Sequence, residues 1–295
     1  MRIAVTGKSG QVVTALVERG EAAGYEVIAL GRPELDLADP ASVAHVLQAA
    51  TPDVIVSAAA YTAVDKAEAE ADLAHSVNGA GAGAVAQAAK ALGVPLIHVS
   101  TDYVFDGSLD RPYVEGDATG PTGVYGASKL AGERAVLDTY PEGSALLRVA
   151  WVYSPFGGNF VKTMLRLAGD RNEVSVVADQ VGNPTSALDI ADGILMVANN
   201  LAGSDDASLR GVFHMTANGE ASWADFAEEI FAASAGNGGP FASVKRITTA
   251  EYPTPATRPS NSRLDCSKIA QVHGVALPDW RNALKTVVAR LQTAA

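Results

Sequence analysis

The sequence predicts an α/β protein with a doubly wound parallel sheet, Rossmann-like, and a smaller C-terminal substrate-binding domain. Three observations carry this prediction: a glycine turn follows the first apolar strand, strands alternate with helices over residues 2–153, and the alternation stops after Tyr153. Alternating strands and helices form parallel βαβ units. In such sheets ligands bind beyond the carboxyl ends of the strands, so we look for the site there.

The first unit begins with the strand "RIAV" and the turn "TGKSGQV". A phosphate-binding P-loop would need a glycine five residues before Gly7, where Arg2 stands. Gly7 and Gly10 instead match a dinucleotide-binding turn that leads into a helix. Val13 replaces the third glycine of that pattern, and an ordinary strand, turn and helix remains the alternative.

The next elements follow in regular alternation. The predicted strands are "YEVIAL", "DVIVSAAA", "PLIHVS" and "SALLRVAWVY", and the predicted helices are "DPASVAHVLQAA", "ADLAHSVNGAGAGAVAQAAKALG" and "GVYGASKLAGERAVLDTY". Asp39 is expected as an N-cap, with Pro40 at the first helical position. These elements define a predicted dinucleotide-binding domain over residues 1–153.

Residues 154–295 are predicted to form mainly the substrate-binding domain, with parts of 176–215 threading back to the sheet. The segments "VKTMLRLA" and "SWADFAEEIFAASA" read as helices, the second with Ser222 as N-cap. The Pro-rich segment "YPTPATRPSNSRLD" reads as a loop that carries Arg258 and Arg263.

Composition excludes several classes of function. The 22 Lys and Arg residues against 33 Asp and Glu give a net charge of −11, which would repel a nucleic-acid backbone. No apolar run approaches the roughly 20 residues of a membrane span, and no leader precedes "RIAV". With Cys266 as the only cysteine, we expect a soluble, cytoplasmic protein without disulfides. The five histidines are scattered, so we expect no metal site and a core role for His98.

Tyr125 and Lys129 lie four residues apart on a predicted helix, so their side chains share one face. There the ammonium can stabilise a tyrosinate, which makes the phenol a better general acid. Thr101 follows a predicted strand and could hydrogen-bond a carbonyl oxygen beside the phenol. The three side chains over a dinucleotide site would reduce a carbonyl group. The alternative is a strand-end threonine and a packed aromatic ring.

The residue after the second strand bears on the choice of cofactor. An acidic residue there would bind the ribose 2′-hydroxyl of NAD, but the chain has Gly31 and Arg32. A guanidinium suits a 2′-phosphate, so we predict NADPH as the cofactor, with NADH left open as a second donor. The alternative is an Arg32 that points to solvent.

These motifs resemble the extended short-chain dehydrogenase/reductase superfamily. The resemblance runs through "GKSGQV", "DVIVSAAAYTAVDKAEAE", "VSTDYVFDG", "VYGASKLAGE", "WVYSPFGGNF", "DQVGNPTS" and "RPSNSRLD". It implies Thr101, Tyr125 and Lys129 as the catalytic triad, with Tyr125 as the proton donor. The cofactor contacts that we assign are Gly7, Gly10, Gln11, Val12, Arg32, Asp36, Leu37, Ala60, Tyr61 and Thr62, together with Tyr125 and Lys129.

The resemblance also implies that Asp102, Tyr103 and Trp151 border a sugar beside Thr101, and it places the loop of Arg258 and Arg263 over a sugar nucleotide. The implied reaction reduces the C4 carbonyl of dTDP-6-deoxy-L-lyxo-4-hexulose to dTDP-L-rhamnose. Another 4-keto nucleotide sugar, an epimerase and a non-catalytic dinucleotide-binding regulatory subunit stay open as alternatives. A dehydratase would need a carboxylate where Tyr103 stands. The sequence leaves a homodimer open.

Overall fold

Six parallel strands form the central sheet of the computed structural model, which describes residues 1–293. Residues 294–295 of the predicted C-terminal domain lie outside the described residues. The six strands are β1 Arg2–Thr6, β2 Glu26–Leu30, β3 Val54–Ser57, β4 Leu96–Thr101, β5 Ser144–Val149 and β10 Gly211–His214. Their order is β10-β5-β4-β3-β1-β2, so the direction of winding reverses between β1 and β3. A ligand cleft is expected beyond the carboxyl ends of these two strands.

Helices connect the strands and cover the sheet. They are α1 Gln11–Ala22, α2 Ala41–Ala50, α3 Val64–Ala67, α4 Ala71–His75, α5 Gly81–Leu92, α6 Val124–Thr139, α7 Phe160–Asp170, α8 Ala187–Gly203, α9 Trp223–Gly236, α10 Ser267–His273 and α11 Trp280–Thr293. A π-helical segment, Ser76–Ala80, joins α4 to α5. Among the helices of residues 1–293, none has the length and apolar character that a membrane crossing requires.

Both faces of the sheet are buried, which is what the apolar runs of the strands predict. In β1, Ile3 and Val5 enter a cluster with residues of α1 and α8, whereas Ala4 enters a cluster with residues of α2 and α5. Side chains alternate along a strand, so each strand contributes to both layers. This arrangement confirms the predicted α/β fold with a doubly wound parallel sheet.

The C-terminal part of the chain adds three two-stranded sheets and then returns to the large sheet. The small sheets pair β6 Val152–Tyr153 with β9 Thr185–Ser186, β7 Glu173–Val177 with β12 Ser243–Ile247, and β8 Val181–Gly182 with β11 Ala221–Ser222. Between them α8 packs on α1, and β10 pairs in parallel with β5. The domain boundaries at residues 153 and 154 stay predictions.

Three details of the predicted elements were wrong. The strand predicted over "DVIVSAAA" ends at Ser57, and the three alanines that follow belong to a loop. The strand predicted over "SALLRVAWVY" ends at Val149, because Trp151 has a φ of +46° that no strand accommodates. The chain resumes as β6, which pairs with β9 instead of entering the large sheet. Pro40, not Asp39, is the N-cap of α2, while the Asp39 carboxylate accepts from the Ala41 amide at 3.2 Å.

A buried ion pair joins α6 to the sheet. The Arg148 guanidinium of β5 donates two hydrogen bonds to Glu133 of α6, at 2.9 and 2.7 Å. The Ser100 hydroxyl of β4 donates to the same carboxylate at 2.5 Å. Both charged side chains are almost fully buried, with 5% and 3% of their surfaces exposed. Each charge therefore depends on the other for its solvation.

We expect Glu133→Ala to lower the free energy of unfolding by about 3–5 kcal/mol, because it leaves the Arg148 charge buried without its partner. Urea denaturation measures this change. The control is Glu18→Ala, which removes a similar two-bond pair with Arg290 whose side chains are 40% and 41% exposed. That loss should stay below about 1 kcal/mol. If both variants lost the same free energy of unfolding, burial of the Glu133–Arg148 pair would not explain its contribution to stability.

Candidate active site

One continuous cleft of about 1030 Å³ crosses the carboxyl ends of β1, β3 and β4 and reaches the C-terminal part of the chain. Most of the residues that the sequence singles out line it. They are Gly7, Gly10, Gln11, Val12, Arg32, Asp36, Leu37, Ala60, Tyr61, Thr62, Thr101, Asp102, Tyr103, Tyr125, Lys129 and Trp151. The fold thus brings the predicted dinucleotide turn and the predicted catalytic residues to one surface.

The glycine turn has the geometry of an anion site. Gly7 has a φ of +104°, and a Cβ there would lie 3.1 Å from the Val13 side chain. Gly10 is the N-cap of α1, and no side chain caps the helix there. The first amides of α1 therefore remain available to a phosphate.

Val13, which replaces the third glycine of the turn, is 2% exposed and packs in the core. The close helix–strand contact lies at Gly20 instead, where a Cβ would come within 2.2 Å of the Val27 side chain. Val13 also reaches the floor of the cleft beside Gly7, so the departure at position 13 changes the packing directly beneath the turn.

Two polar side chains hold the loop that follows β3. The Thr6 hydroxyl accepts from the amides of Ala58 and Ala59, each at 3.0 Å. Asn78, in the π-helical segment, accepts from the Tyr61 amide at 2.7 Å and donates to the Tyr61 carbonyl at 3.1 Å. Sequence reasoning missed Asn78, because nothing in "SVNGAG" signals that a buried amide binds the backbone of a distant loop.

The predicted catalytic residues come together between β4 and α6. Thr101 ends β4, and Tyr125 and Lys129 lie one turn apart on α6. The Lys129 ammonium donates to the Val99 carbonyl at 2.7 Å, and burial lowers its pKa to about 8. Burial, and next the charge of Asp102, raise the pKa of Tyr125 to about 12. The phenol is therefore protonated at neutral pH and the ammonium keeps most of its charge. The pKa of Tyr125 lies above its ordinary value, so the lowering expected from Lys129 is not seen, because burial outweighs it.

Gly126 sets the distance between α6 and the end of β4. A Cβ at this position would lie 2.2 Å from the Tyr103 carbonyl oxygen, closer than any real contact. The ring of Tyr103 in turn meets the ring of Tyr125 edge to face, with centroids 5.5 Å apart. The absence of a side chain at Gly126 thus allows Tyr125 to approach Thr101 and its neighbours.

Aromatic rings form the end of the cleft beyond Tyr103. Trp151, with its positive φ, stacks on Trp223 of α9 with ring centroids 3.6 Å apart and planes 7° apart. Gly182 leaves room for the Trp151 indole, since a Cβ there would lie within 2.5 Å of it. Trp223 also lines the cleft, and sequence reasoning missed it because the indole reaches the site only through tertiary packing.

Arg258 and Arg263 do not line the cleft. Arg258 forms an ion pair with Asp65 at 2.8 Å and donates to the Thr254 hydroxyl. Arg263 pairs with Glu220 at 3.1 Å and donates to the Asn261 side chain at 2.9 Å. The pairs with Asp65 and Glu220 explain why a loop that is rich in cations in the sequence presents little net positive charge. Pyrophosphate binding by these arginines stays a prediction.

Two cations, Arg32 and Lys8, lie beside Gly31 at the end of β2. Arg32 is exposed, lines the cleft and forms no ion pair within residues 1–293. Lys8, which sequence reasoning did not assign, passes over Gly31, where a Cβ would lie 3.2 Å from its side chain. Its ammonium donates to Glu34 at 2.5 Å, and this exposed pair is weak enough for a phosphate to replace.

No metal site appears in the part of the chain that the structure describes, where no three side chains of His, Cys, Asp or Glu form a suitable group. His98 is buried in β4, and its Nδ1 lies 3.1 Å from the Ser57 hydroxyl. Burial holds the pKa of His98 well below its ordinary value, so the ring is neutral. This is the environment expected of a core histidine.

Comparisons with known proteins agree with this geometry. Residues 1–293 match the family model described as RmlD substrate binding domain. A dTDP-4-dehydrorhamnose reductase from Sinorhizobium fredii is 51% identical over 98% of this chain and 97% of its own. The crystal structure of such a reductase from Clostridium acetobutylicum has a TM-score of 0.91 at 37% identity, covering 99% of this chain and 100% of its own. The Bacillus anthracis reductase, solved in complex with NADP, has a TM-score of 0.89 at 35% identity. The match covers 98% of this chain and 99% of that chain.

We expect Gly126→Ala to lower the free energy of unfolding by about 1–3 kcal/mol, because the added methyl group forces α6 away from the Tyr103 carbonyl. Gly169→Ala in α7 is the matched control, since nothing lies within 4 Å of the Cβ it adds. That variant should be neutral or more stable by up to about 1 kcal/mol. Urea denaturation of both variants decides, and a neutral Gly126→Ala would show that α6 has room to move.

Proposed function

The chain belongs to the RmlD substrate binding domain family of dTDP-4-dehydrorhamnose reductases, and from this premise we propose the reaction that it catalyses. It reduces the C4 carbonyl of dTDP-6-deoxy-L-lyxo-4-hexulose with NADPH and yields dTDP-L-rhamnose. The observation that carries this proposal is the single cleft, which joins the glycine turn to Thr101, Tyr125 and Lys129. The glycine turn alone could bind a dinucleotide without any reaction, and the three side chains alone would have no source of hydride.

The glycine turn and the cations beside it fit NADPH. The uncapped amides of α1 suit a pyrophosphate, and Arg32 and Lys8 suit a 2′-phosphate. When bound, NADPH supplies the hydride for the carbonyl carbon. The loop of Ala60 and Tyr61, fixed by Thr6 and Asn78, would border the cofactor on its other side.

Tyr125 supplies the proton that the carbonyl oxygen takes up. Its raised pKa keeps the phenol protonated at neutral pH, so it enters the reaction as an acid. The Lys129 ammonium, one turn away, stabilises the tyrosinate that forms when the proton leaves. Thr101 would hold the same oxygen, and Asp102, Tyr103 and Trp151, which line the cleft, would border the sugar.

The alternatives lack support from a specific observation. A dehydratase needs a carboxylate to remove a proton from the sugar, and the position that would supply it holds Tyr103. A regulatory subunit would have no need of the assembled set of Thr101, Tyr125 and Lys129.

A cytoplasmic location and a homodimer stay predictions. The single free cysteine, Cys266, supports the first of them.

The test of the proposed reaction is identification of the product by NMR after incubation with NADPH and the 4-keto sugar nucleotide. We expect dTDP-L-rhamnose. Tyr125→Phe should lower turnover by about 10²-fold or more, because it removes the proton donor and little else. Cofactor binding, followed by fluorescence, controls for folding and should change little. Recovery of the other C4 epimer would contradict the assigned substrate, and near-normal turnover of Tyr125→Phe would assign the phenol to packing.

We expect NADPH to bind more tightly than NADH, since only NADPH carries the 2′-phosphate that Arg32 would meet. Arg32→Ala should weaken NADPH binding by about tenfold or more, the contribution of a charged hydrogen bond, and leave NADH binding unchanged. Fluorescence titration without sugar measures both affinities. Arg134→Ala, which removes an exposed arginine of α6 outside the cleft, is the control. Equal losses for both cofactors would place the Arg32 guanidinium away from the phosphate.

A further inference from the structure

The hydrogen bonds of the Thr101 hydroxyl limit what it can do for the substrate. Its Oγ1 lies 2.9 Å from Asp102 Oδ1, with the hydroxyl as donor, and accepts from the Tyr103 amide at 3.3 Å. A hydroxyl has one proton to donate, and an ionised carboxylate can only accept. As long as Asp102 is ionised, it therefore competes for the proton of Thr101 with the Tyr125 oxygen and with any carbonyl oxygen in the cleft.

The surroundings of Asp102 shift its ionisation toward the neutral form, which becomes the major one only below about pH 6. The side chain is 3% exposed, and its Oδ2 has no partner with hydrogen-bond geometry among residues 1–293, although the Ser262 hydroxyl lies close to the carboxyl group. A buried carboxylate with an unsatisfied oxygen is costly, whereas a neutral carboxyl group loses much less. Burial raises the pKa of Asp102 to about 6, although Ser262, Thr101 and the local backbone favour the charged form.

The remaining groups around Asp102 come from three elements. Tyr103 follows it in the chain, Tyr125 faces it from α6, and the Ser262 hydroxyl lies close to it in the loop after Pro259. The charged Arg258 and Asp65 lie beyond Tyr103 and are paired with each other at 2.8 Å. Below β4, Glu133 and Arg148 neutralise one another. The Lys129 ammonium of α6 donates to the Val99 carbonyl at 2.7 Å.

We propose that Asp102 is a positioning residue that acts in its protonated form. The carboxyl group donates its proton to Thr101 Oγ1, and the Thr101 hydroxyl then donates its own proton to the C4 oxygen of the sugar. Asp102 keeps its proton throughout turnover, and no bond to it forms or breaks. This inference rests on the proposed reductase function and deepens it: whether Thr101 can donate to the reacting oxygen depends on the protonation of the Asp102 carboxyl group.

The experiment follows kcat/KM for the sugar nucleotide from about pH 5 to 8 at saturating NADPH. In the wild type it should fall as the pH rises and Asp102 ionises, by up to about 10²-fold, the usual effect of losing one donor to the reacting oxygen. Asp102→Asn should remove this fall, because its amide NH₂ donates to Thr101 at every pH. Thr101→Ser should keep the fall, and Thr101→Val should lose it together with most of the activity.

The control is Asp189→Asn in α8. Burial raises the pKa of Asp189 to about 6 as well, but this residue does not line the cleft. The variant should therefore keep the wild-type pH profile. The NADPH 2′-phosphate titrates in the assays of all variants. A fall in kcat/KM that this phosphate causes would therefore persist in both Asp189→Asn and Asp102→Asn.

A second measurement needs no turnover. Infrared difference spectra of wild type minus Asp102→Asn, without cofactor or sugar, should show the band of a protonated carboxyl group at about pH 5 that disappears by about pH 8. A carboxylate at both values would overturn the proposal, as would an active wild type with a flat profile or an Asp102→Asn variant as slow as Thr101→Val. A wild type that does not oxidise NADPH at any pH would overturn the proposed function itself, which separates the two failures.

Discussion

The contact between α6 and the end of β4 is the constraint on which the rest of this structure depends. Gly126 lets the helix touch the Tyr103 carbonyl, and the buried pair of Glu133 and Arg148 ties the same helix to β5. Because both attachments lie on one helix, the spacing of Tyr125 and Lys129 from Thr101 is set by rigid elements and not by a loop. The geometry of the proposed proton transfer thus follows from helix packing.

The opposite wall of the cleft depends on a different kind of interaction. There the stacked indoles of Trp151 and Trp223 form an apolar surface, and Gly182 makes room for the indole of Trp151. The acids and bases of the surrounding loops are largely paired, as Asp65 is with Arg258. A site for an anionic ligand can therefore sit on a chain with a net charge of −11, because recognition uses local amides and a few cations instead of the overall field.

Much of this could be predicted from the sequence, for physical reasons. Buried parallel strands such as "DVIVS" are continuous apolar runs, and the spacing of Tyr125 and Lys129 follows from helix periodicity. The break at Trp151 could not be predicted, because its positive φ is imposed by packing against Trp223 and Gly182. Asn78 and the partners of Arg258 were missed for the same reason, since side-chain pairs across distant segments leave no periodic signal.

The position of β10 has a consequence for how the chain folds during synthesis. Strand β5 is buried at all six residues, and one of its edges is covered only by β10, which follows more than fifty residues later. Until residue 214 leaves the ribosome, that apolar edge has no partner from its own chain. Unpaired strand edges are sites of aggregation. The nascent chain is therefore most exposed to aggregation in the interval between the synthesis of β5 and that of β10.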